Sequence, residues 1–228
     1  MAKRPIFLSR ASGAVFVSAV PVEFVWHAGM SKSQKQKSIR SLHESAQNAR
    51  GIKKILEISS KSEEALGVQL SAFNLSLRTS RGAWTPVEVL FQASKVFSHG
   101  GPFTDILDNS PREAKKDDRL RMSGSLVGFR HENRDWPLDP QTVFYDWLYL
   151  TALRQNPDLA GKLLSYEGFS DIEFNPDKSI NCQAASAALY KSLVERDLID
   201  LAMSSPEEFI RIHAGQRNKP TPIQSGLF

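Results

Sequence analysis

Three polar side chains recur at helical spacing inside a largely apolar segment. Glu88, Gln92 and Lys95 are four and three residues apart, so a helix with about 3.6 residues per turn places them along one face. A helix this apolar is expected to be mostly buried, and charged groups are costly to bury unless they are paired or used. A carboxylate can carry a proton, and an amine that has lost its proton can attack carbon. The pattern therefore indicates a site for acid–base or nucleophilic chemistry.

A helix start offers a structural explanation for the same glutamate. Thr85 is a suitable N-cap, Pro86 fits the first helical position, and Glu88 stands where a capping box needs an acid. Equivalent starts occur at Ser110 and Ser205. An ion pair from this acid to the amine two turns later is a second structural explanation, and such a pair contributes little stability.

A second polar segment lies at 169–177, where acids alternate with apolar residues. In an extended chain Asp171 and Glu173 face the same side, and Asp177 follows shortly after. Acids on the solvent side of an edge strand would explain this alternation as well as a binding site would. Asn181 comes just before a predicted helix, where it either caps the helix or holds a ligand.

Hydrophobic periodicity predicts more helices than strands. Helices are expected over 31–50, 85–97, 143–153, 156–168 and 183–201, and strands over 14–26, 54–60 and 67–77. The two kinds of element do not alternate regularly, which argues against a doubly wound parallel sheet. The sequence therefore predicts an α+β fold, a helix-rich single globular domain with a small sheet.

Charge divides the chain into a basic amino-terminal region and a more acidic remainder. Residues 1–54 contain ten Lys or Arg and two Glu, a net charge of +8, so the remaining residues carry −4. Such a region suits a polyanionic partner, and a solvated helix with biased surface charge is the alternative. We expect residues 1–65 to pack on a core formed by 66–214, followed by a disordered tail over 215–228.

Composition excludes several classes of protein. Of the 228 residues, 41% are hydrophobic and 24% are charged, as in a soluble globular protein. No apolar run approaches the roughly 20 residues of a membrane span, and the basic start lacks the apolar core of a signal peptide. Cys182 is the single cysteine, which excludes a disulfide within the chain and a cysteine-rich zinc site. We expect a cytoplasmic protein that uses no metal and no cofactor, since P-loop, dinucleotide-binding and HExxH motifs are absent as well.

Several segments resemble the NADAR family. Residues 84–97 are similar to its central motif, which has an aromatic residue, Thr-x-Glu or a close variant, and then Phe-Gln-Ala-x-Lys-x-Phe. Other family segments follow in the same order: Leu-Ser-Ala-Phe-Asn at 70–74, Ala-Lys-x-x-x-Arg at 114–119, Arg-Gln-Asn-Pro at 154–157, and the late acids Glu173 and Asp177. The resemblance covers roughly 66–190 and is closest to NADAR antitoxins that are paired with DarT-type DNA ADP-ribosyltransferases. One departure is that Ile-Asn-Cys at 180–182 stands where the last family motif commonly ends in Trp-Gly.

The resemblance implies chemistry at the anomeric carbon of a ribose, because NADAR proteins act on N-glycosidic bonds, including ADP-ribose linked to guanine. It suggests that Lys95, deprotonated through burial, forms a Schiff base with C1 of the opened ribose. Glu88 would carry protons, and Asp177 would be a second acid or base. Gln92 would bind ribose hydroxyls and Arg119 would hold phosphate. The further substrate-binding candidates are Trp84, Phe97, Glu173 and Asn181.

Three functions are compatible with this resemblance. The leading hypothesis is a glycohydrolase that removes ADP-ribose from guanine in DNA and so acts as an antitoxin. Its partners would be guanine-linked ADP-ribosylated DNA and a DarT-type toxin, with no membrane involved. A small-molecule N-glycosidase acting on a ribosylated nucleotide intermediate would not need a basic region. A non-enzymatic module that binds ADP-ribose or the toxin would neutralise by sequestration.

Overall fold

Helices surround three small sheets in the part of the chain that the computed structural model describes, residues 1–80, 82–177 and 179–215. The strands are β1 (Ala2–Ser9), β2 (Val17–Phe24), β3 (Ile55–Glu57), β4 (Ser76–Arg78), β5 (Trp84–Pro86), β6 (Lys95–Phe97), β7 (Leu126–His131), β8 (Arg134–Trp136) and β9 (Gly168–Ser170). The helices are α1 (Lys32–Arg50), α2 (Ala65–Gln69), α3 (Val87–Ala93), α4 (Pro111–Lys116), α5 (Arg119–Met122), α6 (Val143–Gln155), α7 (Pro157–Leu163), α8 (Gln183–Glu195), α9 (Ile199–Ala202) and α10 (Pro206–Ala214), with a 3₁₀ helix at Thr104–Asp108. The predicted α+β, helix-rich single domain is confirmed.

The largest sheet has the strand order β2-β1-β9-β3. Strand β1 runs antiparallel to β2 and to β9, whereas β3 and β9 are parallel. The parallel pairing places Glu57 opposite Ser170. Two segments more than a hundred residues apart in the chain therefore bring an acid next to the residues that follow β9.

Helix α3 is enclosed by strands that belong to two different sheets. It follows β5, which pairs with β4, and it leads into β6, which pairs with β7. Its amino-terminal end is also fixed by backbone bonds, since the amide of Val87 donates to the Leu75 carbonyl and that of Glu88 donates to the Ala72 carbonyl, both at 2.9 Å. All residues of α3 are buried, so its polar side chains lie inside the protein.

The core of the described residues consists of a large cluster, a smaller one, and a third of four buried residues that joins α3 to the 3₁₀ helix and α4. The large cluster centres on α3, α6 and α8, where the Phe91 ring contacts Tyr145 and Phe129 at centroid distances of 5.2 and 5.3 Å. The smaller cluster joins β1 and β2 to α1 and includes Ile172, just beyond β9. The basic amino-terminal region therefore packs close to the segment that carries the late acids.

The predicted helix over 85–97 is wrong at both ends. Trp84 and Pro86 belong to β5 because they pair with Arg78 and Ser76 across a hairpin, and Pro86 occupies the N-cap position without a side-chain bond. At the other end the chain leaves the helix at Ser94, and residues 95–97 pair with β7. Thr85 is thus not a helix cap, and the capping-box explanation for the following glutamate fails.

Other predicted elements are shorter than expected. The segment 67–77, predicted as a strand, is mostly helix and turn, and only β4 is extended. The helix expected over 156–168 ends at Leu163, and Gly168 begins β9, where a Cβ atom would lie 2.9 Å from side-chain atoms of both Ile6 and Leu8. The helix expected over 183–201 stops at Glu195, and α9 follows after a turn. The predicted disordered tail lies outside the described residues, apart from Gly215.

Candidate active site

Glu88 and Gln92 form a buried polar pair on α3. Each residue is 6% exposed, and Gln92 Nε2 donates a hydrogen bond to Glu88 Oε1 over 2.9 Å. The Gln92 Oε1 atom is buried without a hydrogen-bond partner among the described residues. An unsatisfied buried amide oxygen costs about 1–3 kcal/mol, a cost that is more common at functional sites than in an optimised core.

Lys95 lies on β6 rather than on the helix face that the sequence predicted. Its side chain nevertheless returns to α3, where Nζ is 4.9 Å from the centroid of the Phe91 ring. Burial lowers the pKa of Lys95 to about 8, while the nearby Glu88 carboxylate raises it and Lys115 lowers it. About a tenth of the amine is therefore neutral at pH 7, and a neutral amine is the nucleophilic form.

The backbone around Lys95 is closely packed. Its strand pairs with Phe129 on β7, and Gly101 approaches its carbonyl so closely that a Cβ atom there would lie 2.4 Å from the oxygen. Gly101 also has a positive φ of 83°, a conformation that side chains with a Cβ atom rarely adopt. The backbone of Lys95 is therefore held by the sheet on one side and by the following turn on the other.

A second group of polar side chains surrounds Asp171, immediately after β9. Its Oδ2 accepts from Gln183 Nε2 and its Oδ1 accepts from the Glu173 amide, both at 3.0 Å. Burial and the neighbouring Glu57 carboxylate raise the pKa of Asp171 to about 8. Glu57 is 2% exposed and accepts from Ser170 Oγ at 2.6 Å. Asp171 is therefore protonated in large part at neutral pH.

Hydrogen bonds through the backbone of Ala72 connect this acid to α3. Gln183 Oε1 accepts from the Ala72 amide at 2.7 Å, and the Ala72 carbonyl accepts from the Glu88 amide at 2.9 Å. The Tyr145 hydroxyl lies within electrostatic reach of both acids, because burial first, then the charge of Glu88 and that of Asp171, raise its pKa. Glu88 and Asp171 are thus linked through Ala72 and both act on Tyr145, and Glu88 also acts on Lys95.

The three acids of the 169–177 segment have different environments. Asp171 is the one that desolvation affects strongly, whereas Glu173 and Asp177 are exposed. Glu173 forms an ion pair with Lys35 Nζ at 3.2 Å. The amide of Asp177 donates to Asn175 Oδ1 in a surface turn. The catalytic role that the sequence suggested for Asp177 stays a prediction, and the geometry favours Asp171 for it.

Two of the predicted substrate-binding residues meet at Phe103. The Arg119 guanidinium lies 4.7 Å from the Phe103 ring centroid, and the buried Phe97 ring stacks on the same ring at 6.3 Å. Arg119 donates to Asp105 and Asp117 at 2.6 and 2.7 Å, and these bonds raise its pKa. A phosphate at Arg119 would therefore have to share the guanidinium with these carboxylates.

The remaining candidates lie at the edges of the site or away from it. Trp84 is 56% exposed and lines a groove with Trp147 and His131. Asn181 is partly buried, and its carbonyl accepts from Ser179 Oγ at 3.2 Å. Neither residue is hydrogen-bonded to the Lys95 side chain in the described part of the chain, and their binding roles stay predictions.

Comparisons with known proteins support one family. The family model for the DarT1-associated NADAR antitoxin matches residues 2–222. The chain therefore belongs to the DarT1-associated NADAR antitoxin family, which confirms the resemblance found in its motifs. Membership supports an antitoxin role, with a DarT-type toxin as the implied counterpart. A search of curated proteins finds no match to the chain.

Neither a metal centre nor a membrane span is found in the described residues. No three or more of their His, Cys, Asp and Glu side chains are grouped so as to hold a metal ion. None of the helices within these same ranges is long and apolar enough to cross a bilayer.

Proposed function

We propose that this protein is an ADP-ribosyl glycohydrolase that removes ADP-ribose from guanine bases in DNA and thereby acts as an antitoxin. The observation that carries the proposal is the buried amine of Lys95, whose pKa is lowered to about 8 beside Glu88 in a member of this antitoxin family. A lysine amine is suited to covalent catalysis at an aldehyde-level carbon when its pKa is close to the working pH.

The reaction starts at C1 of the ribose that is attached to the base. Its bond to the ring oxygen breaks, the electron pair goes to that oxygen, and the Glu88 carboxylate relays to it the proton that the Lys95 nitrogen gives up. The neutral Lys95 amine bonds to C1 and loses one of its two protons to Glu88. The bond from C1 to the base nitrogen then breaks, and its electron pair takes a proton from Asp171. Water hydrolyses the resulting imine, which frees ADP-ribose and restores the lysine amine.

The basic amino-terminal region supports a nucleic-acid substrate. Two cations lie near the Trp26 ring. Lys35 Nζ is 4.7 Å and the Arg4 guanidinium carbon is 5.8 Å from the ring centroid. Lys35 also pairs with Glu173, two residues after Asp171. Cations contact phosphates, and a partly buried ring such as that of Trp26 can stack on a base through its open face. A DNA strand over Trp26 would therefore reach the rim of the candidate site.

Release of free ADP-ribose from an oligonucleotide that carries ADP-ribosylated guanine tests the proposal directly. The wild-type chain should restore the unmodified oligonucleotide, and Lys95→Arg should not, because a guanidinium cannot supply a neutral amine. No release over hours at high protein concentration would refute the activity. Turnover of a free ribosylated nucleotide without turnover of modified DNA would instead favour the small-molecule N-glycosidase.

Neutralisation of the toxin separates hydrolysis from sequestration. We expect a folded Lys95→Ala variant to lose protection of cells that express a DarT-type toxin. Full protection by that variant would favour the non-enzymatic antitoxin that binds ADP-ribose or the toxin.

A further inference from the structure

A chain of three hydrogen-bonded side chains lies behind Asp171. His43 Nε2 on α1 is 2.8 Å from Ser170 Oγ, and Ser170 Oγ donates to Glu57 Oε2 over 2.6 Å. A hydroxyl has one proton to donate, and Ser170 gives it to Glu57. Ser170 Oγ can then only accept from His43, so the imidazole carries its proton on Nε2. Burial lowers the pKa of His43 to about 4, which keeps the ring neutral.

In this series of side chains each hydrogen bond is donated in the direction of Glu57, from His43 to Ser170 and from Ser170 to Glu57. Besides Ser170, the Ile172 amide donates to Glu57 Oε1 over 2.9 Å. Burial raises the pKa of Glu57, whereas hydrogen bonds to a carboxylate favour its ionised form, and two neighbouring carboxyl groups in a buried site do not both ionise. An ionised Glu57 therefore favours a protonated Asp171, which follows Ser170 directly in the chain.

We propose that His43, Ser170 and Glu57 are positioning residues that hold the proton of this carboxyl pair on Asp171, the acid that protonates the departing base. The inference rests on the proposed function, because it assigns the origin of a proton in that reaction. The charge of Asp171 acts on the Tyr145 hydroxyl, whereas Glu57 is bonded to Ser170, the residue that His43 contacts. The proton is thus kept on the carboxyl group that acts on Tyr145, whereas Glu57 lines the crevice with His43.

The other titratable groups around the pair do not supply a competing cation. The charge of Glu173 acts on Asp171 and favours its protonated form, and the amine of Lys35 is paired with Glu173. Within the described ranges, neither carboxyl group of the pair forms an ion pair with Lys or Arg at 4 Å or less. The neutral neighbours of Asp171 are Gln183, Cys182, Tyr145 and Tyr149. On the side of Glu57, the crevice that His43 lines also carries the charged side chains of Arg40, Glu44, Lys53, Glu63 and Glu64.

Removal of one donor should move the proton in a predictable direction. In Ser170→Ala, Glu57 loses a hydrogen bond, its pKa rises and it takes the proton. Asp171 then titrates beside a neutral neighbour, so its pKa falls. The alkaline limb of the kcat–pH profile should move to lower pH by about one unit. His43→Ala should shift it in the same direction by less, and His43→Gln, whose amide can donate to Ser170 Oγ, should restore it.

Infrared spectroscopy of the free protein tests the same assignment without substrate. At pH 7 the wild type should show the carbonyl band of a protonated carboxylic acid, and Asp171→Asn should remove it. In the Ser170→Ala background, Glu57→Gln rather than Asp171→Asn should remove the band. A band that persists in Asp171→Asn with the serine intact would overturn the inference, and so would an unmoved alkaline limb in a folded, active Ser170→Ala variant. A wild type with this band but no glycohydrolase activity would leave the proton assignment standing and refute the proposed function.

Discussion

The ammonium group of Lys115 lies 3.7 Å from Glu88 Oε1, although the two residues belong to different helices. Lys115 is 60% exposed on α4, whereas Glu88 is buried on α3. Both charges act on the pKa of Lys95, with Glu88 raising it and Lys115 lowering it. The surface lysine therefore helps to keep the buried amine partly neutral.

Removal of the Lys115 charge should move the acidic limb of the kcat–pH profile. In Lys115→Met the pKa of Lys95 rises, so a smaller fraction of the amine is neutral at pH 7 and the rising limb of kcat moves to higher pH. We expect a shift of less than about one unit, because solvent screens an exposed charge. Lys116→Met, one position along the same helix, should leave the limb in place. Equal shifts in the two variants would show that the effect is not specific to the contact with Glu88.

Lys95 should lower the free energy of unfolding, because its charged amine is buried in the folded protein. Its pKa is about 8 in the folded chain and 10.5 in the unfolded chain, so the unfolded state binds more protons between these values. Stability therefore rises with pH through this window, and the full cost is present below pH 8. Lys95→Met should raise the free energy of unfolding by up to about 3 kcal/mol at pH 6, and by much less at pH 10.

Denaturant unfolding at the two pH values measures this effect, with Lys116→Met as an exposed control. A variant that is inactive yet no more stable than the wild type at pH 6 would contradict the lowered pKa of the lysine.

Local signals in the sequence were sufficient to predict α1. Ser31 accepts a bond from the Gln34 amide at its start, and Gly51 ends it with φ at 70°. Ile39, Leu42 and Ala46 recur at helical spacing in the sequence, and they lie on the buried face of this helix. Each of these signals depends on residues within a few positions of one another, so no knowledge of the tertiary structure was needed.

Segments that pair with distant strands were predicted less well. The ends of the 85–97 segment are extended because β5 pairs with β4 and β6 pairs with β7, and these partners outweigh the helical pattern. The predicted proximity of Glu88 and Gln92 was still correct, because the two residues are four positions apart within α3. The sequence pattern predicted Lys95 on the helix rather than on β6, but it correctly predicted that the amine lies near Glu88.

The acid pair could not be identified from local spacing. Glu57 and Asp171 become neighbours through the parallel pairing of β3 with β9, and no periodic signal links residues so far apart. A carboxylate within the apolar run around Ile55–Ile58 was the one available hint that Glu57 is buried. Alternation alone did not indicate which acid of 169–177 lies inside the protein.

The two aspartates of that segment should differ in their effect on turnover. Asp171→Asn keeps the shape of the side chain but removes the acid, so kcat should fall by about 10²–10³-fold. Asp177→Asn alters an exposed residue and should retain near-normal kcat. Single-turnover release of ADP-ribose by the two folded variants measures the difference. A large loss in Asp177→Asn with little change in Asp171→Asn would reverse the assignment.

Variants around Trp26 should separate DNA binding from chemistry. Trp26→Ala combined with Arg4→Ala should raise KM for the modified oligonucleotide several-fold and reduce its dependence on salt, because a stacking ring and a phosphate contact are lost. The kcat/KM for ADP-ribosylated guanosine, which lacks a strand, should stay close to the wild-type value. Lys162→Ala, which removes an exposed cation of α7, serves as the control. An equal loss on both substrates would indicate damage to the site rather than to a DNA-binding surface.

Reductive trapping of Lys95 tests the central claim most directly. Borohydride added during turnover of guanine-ADP-ribosylated oligonucleotide reduces an imine to an amine that no longer hydrolyses, and peptide mass spectrometry then locates the adduct. We predict one ADP-ribose adduct on Lys95, with none on the neighbouring Lys115 and none in Asp171→Asn beyond its residual turnover. Full turnover without any trapped lysine, or near-normal activity of Lys95→Arg, would contradict the covalent mechanism.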